Sequence, residues 1–246
     1  MLSETQESPD TPFTPPNAAS STSGTHRVPF LNSSYSYRTA TIEVSMVIDG
    51  IYYALALSVG GAAVWYLSRP AFGVPLFLLA AFCLYFFRDP DRVTPDGAVA
   101  VSPADGKVVA IRNDDPASAR ISIFLNIFDV HVNRAPIAGT ITNIEYKKGQ
   151  FLVASREVAS SQNERNTFTI EGQGSRVGFS QIAGLIARRI VCYKKPGDQV
   201  SKGERVGLIK FGSRVDVFLG PEWEITVKPG QHVSGGSSIL ARRRLA

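Results

Sequence analysis

A glycine and a serine near the C-terminal end, Gly212-Ser213, separate two segments in which apolar and other residues alternate. Segments 206–211 and 214–219 have the period of two that indicates strands with one buried face. Because glycine has no Cβ to block a close approach, the Ser213 hydroxyl can reach the carbonyl carbon of the residue before it. The pair is therefore either a nucleophile beside its own target or an ordinary hairpin turn.

A histidine and an aspartate are the other candidates for chemistry. His131 is one of three histidines and lies in a polar cluster that ends in Pro136, which favours a shaped loop over a core position. Asp105 lies in a Pro-Ala-Asp-Gly turn. Each residue also has a plain structural interpretation, as a loop histidine and as common turn chemistry.

The composition divides the chain into three predicted parts. Residues 1–45 are rich in Ser, Thr, Pro and Asn and are expected to be a disordered tail, whereas 46–92 hold a dense apolar block and 93–246 a β-rich domain. Two cysteines without metal or disulfide spacing suit a reducing compartment. The net charge of +5 admits nucleic acid or an anionic membrane as partner, and the apolar block favours the membrane. We also hypothesise that translation starts at Met46.

Two uncharged apolar segments, 51–67 and 71–87, are predicted to form a helical hairpin. Each helix would be about 25 Å long, slightly less than a hydrocarbon core of about 30 Å, so the hairpin could cross a membrane tightly or lie in one leaflet. A buried hairpin in a soluble core is the alternative. Pro70 is well placed to begin the second helix. The weak charge bias puts the following domain on the cytoplasmic side.

From residue 99 onward, short β-type segments alternate with turn residues, which is typical of an all-β sandwich or barrel. The predicted strands are 107–111, 121–127, 140–146, 167–170, 176–182, 185–193, 206–211, 214–219, 224–228 and 238–241.

An internal repeat supports this fold. The pattern K-P-G-x-x-V-S-x-G occurs at 195–203 and again at 228–236, and each copy predicts a turn, a short strand and a second turn. Paired turns of this type resemble the barrel-sandwich fold of biotinyl and lipoyl carrier domains. The Gly212-Ser213 pair lies between the two copies.

Together these segments resemble the phosphatidylserine decarboxylase family in its short form, over most of residues 72–246. The residues that carry the resemblance are Phe86-Phe87-Arg88-Asp89-Pro90-Asp91-Arg92, Ser102-Pro103-Ala104-Asp105-Gly106, Asp129-Val130-His131-Val132-Asn133-Arg134-Ala135-Pro136, Asn163-Glu164-Arg165-Asn166, Gln181-Ile182-Ala183-Gly184 and Phe211-Gly212-Ser213-Arg214-Val215-Asp216.

The resemblance implies a proenzyme that cuts itself between Gly212 and Ser213 into chains of 212 and 34 residues. Ser213 would become a covalent pyruvoyl group, the cofactor that condenses with the substrate amine and accepts the electrons left by carbon dioxide. His131 is the implied base and later proton donor, and Asp105 is the residue implied to orient it. The processed chains are expected to stay associated, and a homo-oligomer is possible.

The implied substrate is phosphatidylserine, converted to phosphatidylethanolamine at the cell membrane, without metal or nucleic acid. Arg134, Asn163, Arg165 and Asn166 are the candidate substrate-binding residues. Longer members carry a second histidine where this chain has Arg134. If that histidine is their base, His131 inherits the role only by default, and Arg134 is suited to bind a carboxylate or phosphate.

Three other functions remain open from the sequence. A decarboxylase acting on archaetidylserine or a related aminophospholipid would have the same motifs. A membrane-anchored carrier or adaptor domain would use the same sandwich without chemistry, and Lys210 is the nearest lysine to the junction. A zinc peptidase is disfavoured because the histidines are isolated and no H-E-x-x-H motif occurs.

Overall fold

The structure is a computed structural model that describes residues 45–115, 118–154, 158–172, 174–185, 189–210 and 213–244. The predicted tail, apart from Ser45, lies outside the described residues, as do Phe211 and Gly212.

The described residues form two long helices, a short third helix and β-strands. The helices are α1 (Ile48–Leu67), α2 (Pro70–Phe86) and α3 (Ala159–Gln162), and the strands are β1 (Ser45–Met46), β2 (Arg88–Asp89), β3 (Val99–Val101), β4 (Gly106–Asp115), β5 (Ser118–Leu125), β6 (Val132–Arg134), β7 (Gly139–Lys147), β8 (Arg165–Gly172), β9 (Ser175–Ile182), β10 (Arg189–Cys192), β11 (Gln199–Val200), β12 (Arg205–Lys210), β13 (Ser213–Leu219), β14 (Trp223–Ile225), β15 (His232–Val233) and β16 (Ile239–Arg243).

Helices α1 and α2 form the predicted hairpin. Pro70 occupies the first turn of α2, where its missing N–H costs no hydrogen bond. The helices approach closely because a Cβ on Gly73 would lie 2.8 Å from the carbonyl oxygen of Gly61. The only buried residues of the two helices are Gly50, Ala54, Gly61, Gly73, Ala80 and Phe86. Most of the apolar surface is exposed, so the hairpin is not the buried core element that the soluble alternative requires.

The largest sheet is a curled antiparallel sheet of eight strands in the order β11-β7-β8-β9-β13-β5-β4-β15. Strand β13 lies near its middle, paired with β9 and β5. Because side chains alternate along a strand, Ser213 and Val215 share the face that covers the apolar core, whereas Arg214 and Asp216 lie on the opposite face. The mainly β fold, preceded by an apolar helix pair, is confirmed.

The two repeat copies occupy the two edges of this sheet. Strand β11 of the first copy pairs with β7, and strand β15 of the second copy pairs with β4. The turns match: Gly197 and Gly230 both have positive φ, and their N–H groups donate to Ile141 and Val108 at 2.8 and 2.7 Å. The repeat is thus a pseudo-symmetric pair of edge strands.

The chain changes sheets between Lys210 and Ser213. Strand β12 belongs to a three-stranded sheet with β10 and β6, whereas β13 belongs to the large sheet, and the two strands are not paired with each other. The hairpin interpretation of Gly212-Ser213 is therefore wrong, because a hairpin requires its two strands to pair.

Substitutions on the two faces of the sheet should lower the free energy of unfolding by different amounts. Phe179 is fully buried and stacks on Phe168 at 4.7 Å between ring centroids, whereas Phe218 on neighbouring β13 is 36% exposed. We expect Phe179→Ala to lower the free energy of unfolding by about 3–5 kcal/mol, and the control Phe218→Ala by less than about 1 kcal/mol. Urea unfolding of both variants checks this, and equal losses would contradict the assignment of faces.

Candidate active site

Ser213 begins β13 and is completely buried. Its backbone position is fixed by the antiparallel register with Leu125 on β5. Its Oγ has no hydrogen-bond partner among the described residues. A buried hydroxyl left without a partner costs about 1–3 kcal/mol, so its retention at this position suggests a functional requirement.

His131 lies directly after a tight loop and is also completely buried. The loop is closed by hydrogen bonds from the Asn126 N–H to Asp129 Oδ2 at 2.8 Å and from the Phe128 N–H to Asn126 Oδ1 at 2.7 Å. Nδ1 of His131 lies 2.9 Å from the carbonyl oxygen of Asp129. Because a carbonyl oxygen only accepts, Nδ1 carries the proton and Nε2 keeps its lone pair.

Burial lowers the pKa of His131 to about 4, with a further decrease from the positive charge of Arg88 and an opposing increase from the hydrogen bond to Asp129. The imidazole is therefore neutral at pH 7. Nε2 has no partner among the described residues. The site thus contains a buried acceptor and, at Ser213, a buried donor, each without a hydrogen bond.

The backbone brings these two residues into the same region. The Ile209 N–H on β12 donates to the carbonyl oxygen of His131 at 3.2 Å. Ser213 follows Ile209 by four positions, which limits their Cα separation to about 14 Å. Activation of the Ser213 hydroxyl requires a base nearby. The fold holds His131 against the end of β12, the strand that precedes Ser213.

The end of the helical hairpin encloses the histidine. The Phe86 ring lies 4.4 Å from the His131 ring between centroids, and Phe86 and Phe87 pack with Val132 and Leu208 in a second apolar cluster. Arg88 Nη2 donates to the carbonyl oxygen of Phe128 at 2.7 Å, which ties the hairpin to the histidine loop. The sequence did not predict that Phe86 covers His131, because apolar residues at a helix end do not indicate which side chain they pack against.

Asp105 does not make the expected contact with His131. Its carboxylate accepts from Arg92 Nη2 and from the Gly235 N–H, both at 2.7 Å. Burial raises the pKa of Asp105, although these two hydrogen bonds and the Arg92 charge oppose the increase. The Asp129 carbonyl, rather than the Asp105 carboxylate, orients the imidazole, and a catalytic role for Asp105 stays a prediction.

Two of the predicted substrate-binding residues are held by protein groups. Arg134 is buried and donates to Asp89 Oδ1 at 2.7 Å and to the carbonyl oxygens of Pro90 and Gly203 at 3.1 Å. Asn163 is also buried and bonds to both the N–H and the carbonyl of Leu152, and to the carbonyl of Ala183. These contacts have an evident structural use, and substrate binding by either residue stays a prediction.

The other two candidates lie on opposite faces of the large sheet. Asn166 and Gln181 are paired across β8 and β9 on the face of Ser213, and Asn166 Nδ2 donates to Gln181 Oε1 at 3.2 Å. Gln181 Nε2 in turn donates to Asn133 Oδ1 at 2.8 Å, so a buried amide chain reaches β6. Arg165 faces the other side and lines a cleft of about 570 Å³. Their binding roles also stay predictions.

The structure gives little support to the carrier and zinc-peptidase interpretations. The carrier interpretation needs an exposed lysine at a hairpin tip, but Lys210 is buried at the end of β12. Among the described residues, no group of three or more His, Cys, Asp and Glu side chains is arranged to hold a metal ion.

The buried imidazole predicts a specific pH dependence of stability. His131 titrates near pH 4 when folded and near 6.5 when unfolded, so the unfolded chain gains a proton first as the pH falls. Between about pH 7 and 4, wild type should lose about 3 kcal/mol more unfolding free energy than His131→Gln, with no further loss from this group below that window. Urea unfolding in a Ser213→Ala background measures both, and parallel pH profiles would contradict a buried neutral His131.

Comparison with known proteins identifies the family of this chain. The sequence model of a family described as phosphatidylserine decarboxylase matches residues 79–241. The phosphatidylserine decarboxylase proenzyme of Solibacter usitatus is 66% identical over 200 residues, which cover 81% of this chain and 98% of that protein. The proenzyme of the same name from Nitratidesulfovibrio vulgaris is 50% identical over 177 residues, covering 69% of this chain and 82% of that protein. The family match spans the end of the hairpin and nearly all of the β domain, and the chain therefore belongs to the phosphatidylserine decarboxylase family.

Proposed function

We propose that this protein decarboxylates phosphatidylserine to phosphatidylethanolamine, and that it first cuts itself between Gly212 and Ser213 to make its own pyruvoyl group. The observation that carries the proposal is the pair of buried atoms without hydrogen bonds, Ser213 Oγ and His131 Nε2. One is a hydroxyl that needs a base, and the other is an imidazole nitrogen whose lone pair is available at neutral pH.

In the proposed cleavage, His131 Nε2 removes the proton of Ser213 Oγ, and the oxygen bonds to the carbonyl carbon of Gly212. The peptide C–N bond breaks, and the amine takes up the proton from His131. Elimination then removes the Cα proton of residue 213, breaks its Cβ–Oγ bond and releases the carboxylate of Gly212. Water replaces the nitrogen of the remaining dehydroalanine, with loss of ammonia, to leave the pyruvoyl group. Gly212 lies outside the described residues, so the support comes from Ser213 and His131.

The pyruvoyl group would supply the carbonyl that takes up the electron pair when the substrate carboxylate leaves. His131 Nε2 would take up a proton that the substrate ammonium loses on binding, and would pass it to the substrate carbon. Because burial lowers its pKa to about 4, the protonated imidazole is a stronger acid than an exposed one. The His131 ring is buried and packs against Phe86, and a site with little water favours loss of a charged carboxylate.

The sheet order supports a stable two-chain product. Strand β13 would belong to the C-terminal chain, yet both of its neighbours, β5 and β9, belong to the N-terminal chain. The same interleaving occurs where β15 pairs with β4 and β16 with β3. The fragments 1–212 and 213–246 would therefore stay together without a covalent bond.

The exposed apolar surface of the hairpin supports association with the cell membrane, and the weak charge bias of the flanking sequence favours the cytoplasmic side. Helix α1 is long and apolar enough to cross a bilayer, and only 17% of that stretch is buried. Large apolar side chains on both helices are exposed, including Leu55, Tyr66, Phe72 and Leu78. Because Phe86 at the end of α2 contacts His131, a hairpin in the headgroup region would bring the site to a lipid that stays in the bilayer.

Substitution of the two buried residues tests this function. We expect Ser213→Ala to remain one uncut chain that releases no carbon dioxide from phosphatidylserine vesicles, whereas wild type is cut and active. His131→Gln should process at least about a hundredfold more slowly, since it lacks the base. Denaturing gels and carbon dioxide release measure both effects.

The controls for this experiment are Ser161→Ala and His232→Ala, which remove an exposed serine and an exposed histidine. Both should process and decarboxylate normally. Cleavage that persists in Ser213→Ala would contradict self-processing at this residue. Activity on archaetidylserine but not on phosphatidylserine would favour the related decarboxylase.

The pH profile of processing provides an independent test. Since His131 stays neutral down to about pH 4, the rate of cleavage should change less than about twofold between pH 7.5 and 5.5. A histidine with the ordinary pKa of 6.5 would lose about tenfold of its neutral form over the same range. Time courses of precursor conversion in the two buffers measure this, and a tenfold decrease would show that the base is exposed or is another group.

A further inference from the structure

Lys210 is a buried cation three residues before Ser213, close to the proposed cleavage site. It ends β12, its side chain is 9% exposed, and its Nζ lies 2.9 Å from Asp49 Oδ2 in the first turn of α1. The sequence indicated neither the pairing nor its place, because 160 positions separate the two residues along the chain.

Aromatic rings complete the surroundings of this ammonium. Nζ lies 5.5 Å from the centre of the Tyr53 ring and 5.8 Å from that of Phe87. The start of α1 is pressed against the same ring, since a Cβ on Gly50 would overlap Phe87 Cβ. The Lys210 ammonium thus contacts Asp49 and Tyr53 of the hairpin and Phe87, the residue that follows it.

The chain on the other side of the cleavage site is fixed as well. Ser213 is in register with Leu125 on β5, and Lys210 is in register with Arg189 on β10. Only positions 211 and 212 connect these two fixed residues. A small displacement of Lys210 must therefore be absorbed within a two-residue connection that contains the carbonyl to be attacked.

We propose that the Asp49–Lys210 ion pair is a positioning device for self-cleavage, through which the docked helical hairpin fixes the strand that leads to Gly212. The inference rests on the proposed function, since it concerns the rate of that same cleavage. The hairpin is then a part of the processing site as well as a lipid-facing element.

The charges of the pair determine how each substitution should change the rate of processing. Asp49→Asn leaves the buried Lys210 ammonium without a counter-charge, whereas Lys210→Met removes the ion pair and leaves only the Asp49 carboxylate, whose side chain is 40% exposed. A displacement of about 1 Å in the reacting groups can cost about a hundredfold in rate. We therefore expect both variants to process at least about fivefold more slowly than wild type, and Lys210→Arg to stay within about twofold because it keeps the ion pair.

The experiment follows conversion of full-length precursor in detergent micelles for wild type, Asp49→Asn, Lys210→Met and Lys210→Arg. Arg69→Gln is the matched control, because it removes one charge from the far end of the same hairpin and should process normally. Thermal unfolding of Asp49→Asn and Lys210→Met in a Ser213→Ala background measures any loss of folding separately from cleavage.

Three results would overturn the inference. Wild-type rates in both Asp49→Asn and Lys210→Met would show that the pair does not position the cleavage site. Slow processing of Lys210→Arg together with a large drop in Tm of the uncut variants would assign the pair to folding alone. A wild-type protein that remains uncut would reject both the proposed function and this inference. Wild-type rates in the two variants would reject the inference alone.

Discussion

The hydrogen bond from His131 Nδ1 to the carbonyl oxygen of Asp129 decides which nitrogen of a buried imidazole can act. Because the carbonyl can only accept, the bond fixes the tautomer and leaves the Nε2 lone pair without a partner. Burial keeps the ring neutral, so this arrangement holds at neutral pH. In many serine nucleophile systems a carboxylate orients the base, whereas here a backbone carbonyl in a closed loop orients the imidazole that we propose as the base.

The rest of the structure maintains that burial. The hairpin contributes Phe86 over the ring, and Arg88 ties the loop to the hairpin. The segment after the hairpin is held by Asp89, which pairs with Arg134 and Arg205 from two strands of the small sheet. The helical hairpin and the candidate site are therefore one packed unit rather than two separate parts.

The local sequence pattern predicted the helices and the longer strands well, but it predicted contacts between distant residues poorly. Period-two alternation located the longer strands, and Pro70 marked the start of α2, because these signals lie within a few residues of what they determine. The change of sheet between β12 and β13 was not predictable, since alternation shows that a strand has a buried face but not which strand lies beside it. Asp105 was assigned to His131 from motif alone, whereas the fold gives it Arg92 and Gly235.

The mass of the C-terminal fragment tests the central claim most directly. If Ser213 attacks the preceding carbonyl and becomes the pyruvoyl group, the purified protein contains a fragment of residues 213–246 that is lighter than the serine-terminated peptide by one ammonia. Treatment with a hydride donor should then add two hydrogens to its terminal carbonyl. A fragment with an intact N-terminal serine, or a single uncut chain in a folded protein that decarboxylates phosphatidylserine, would contradict the account.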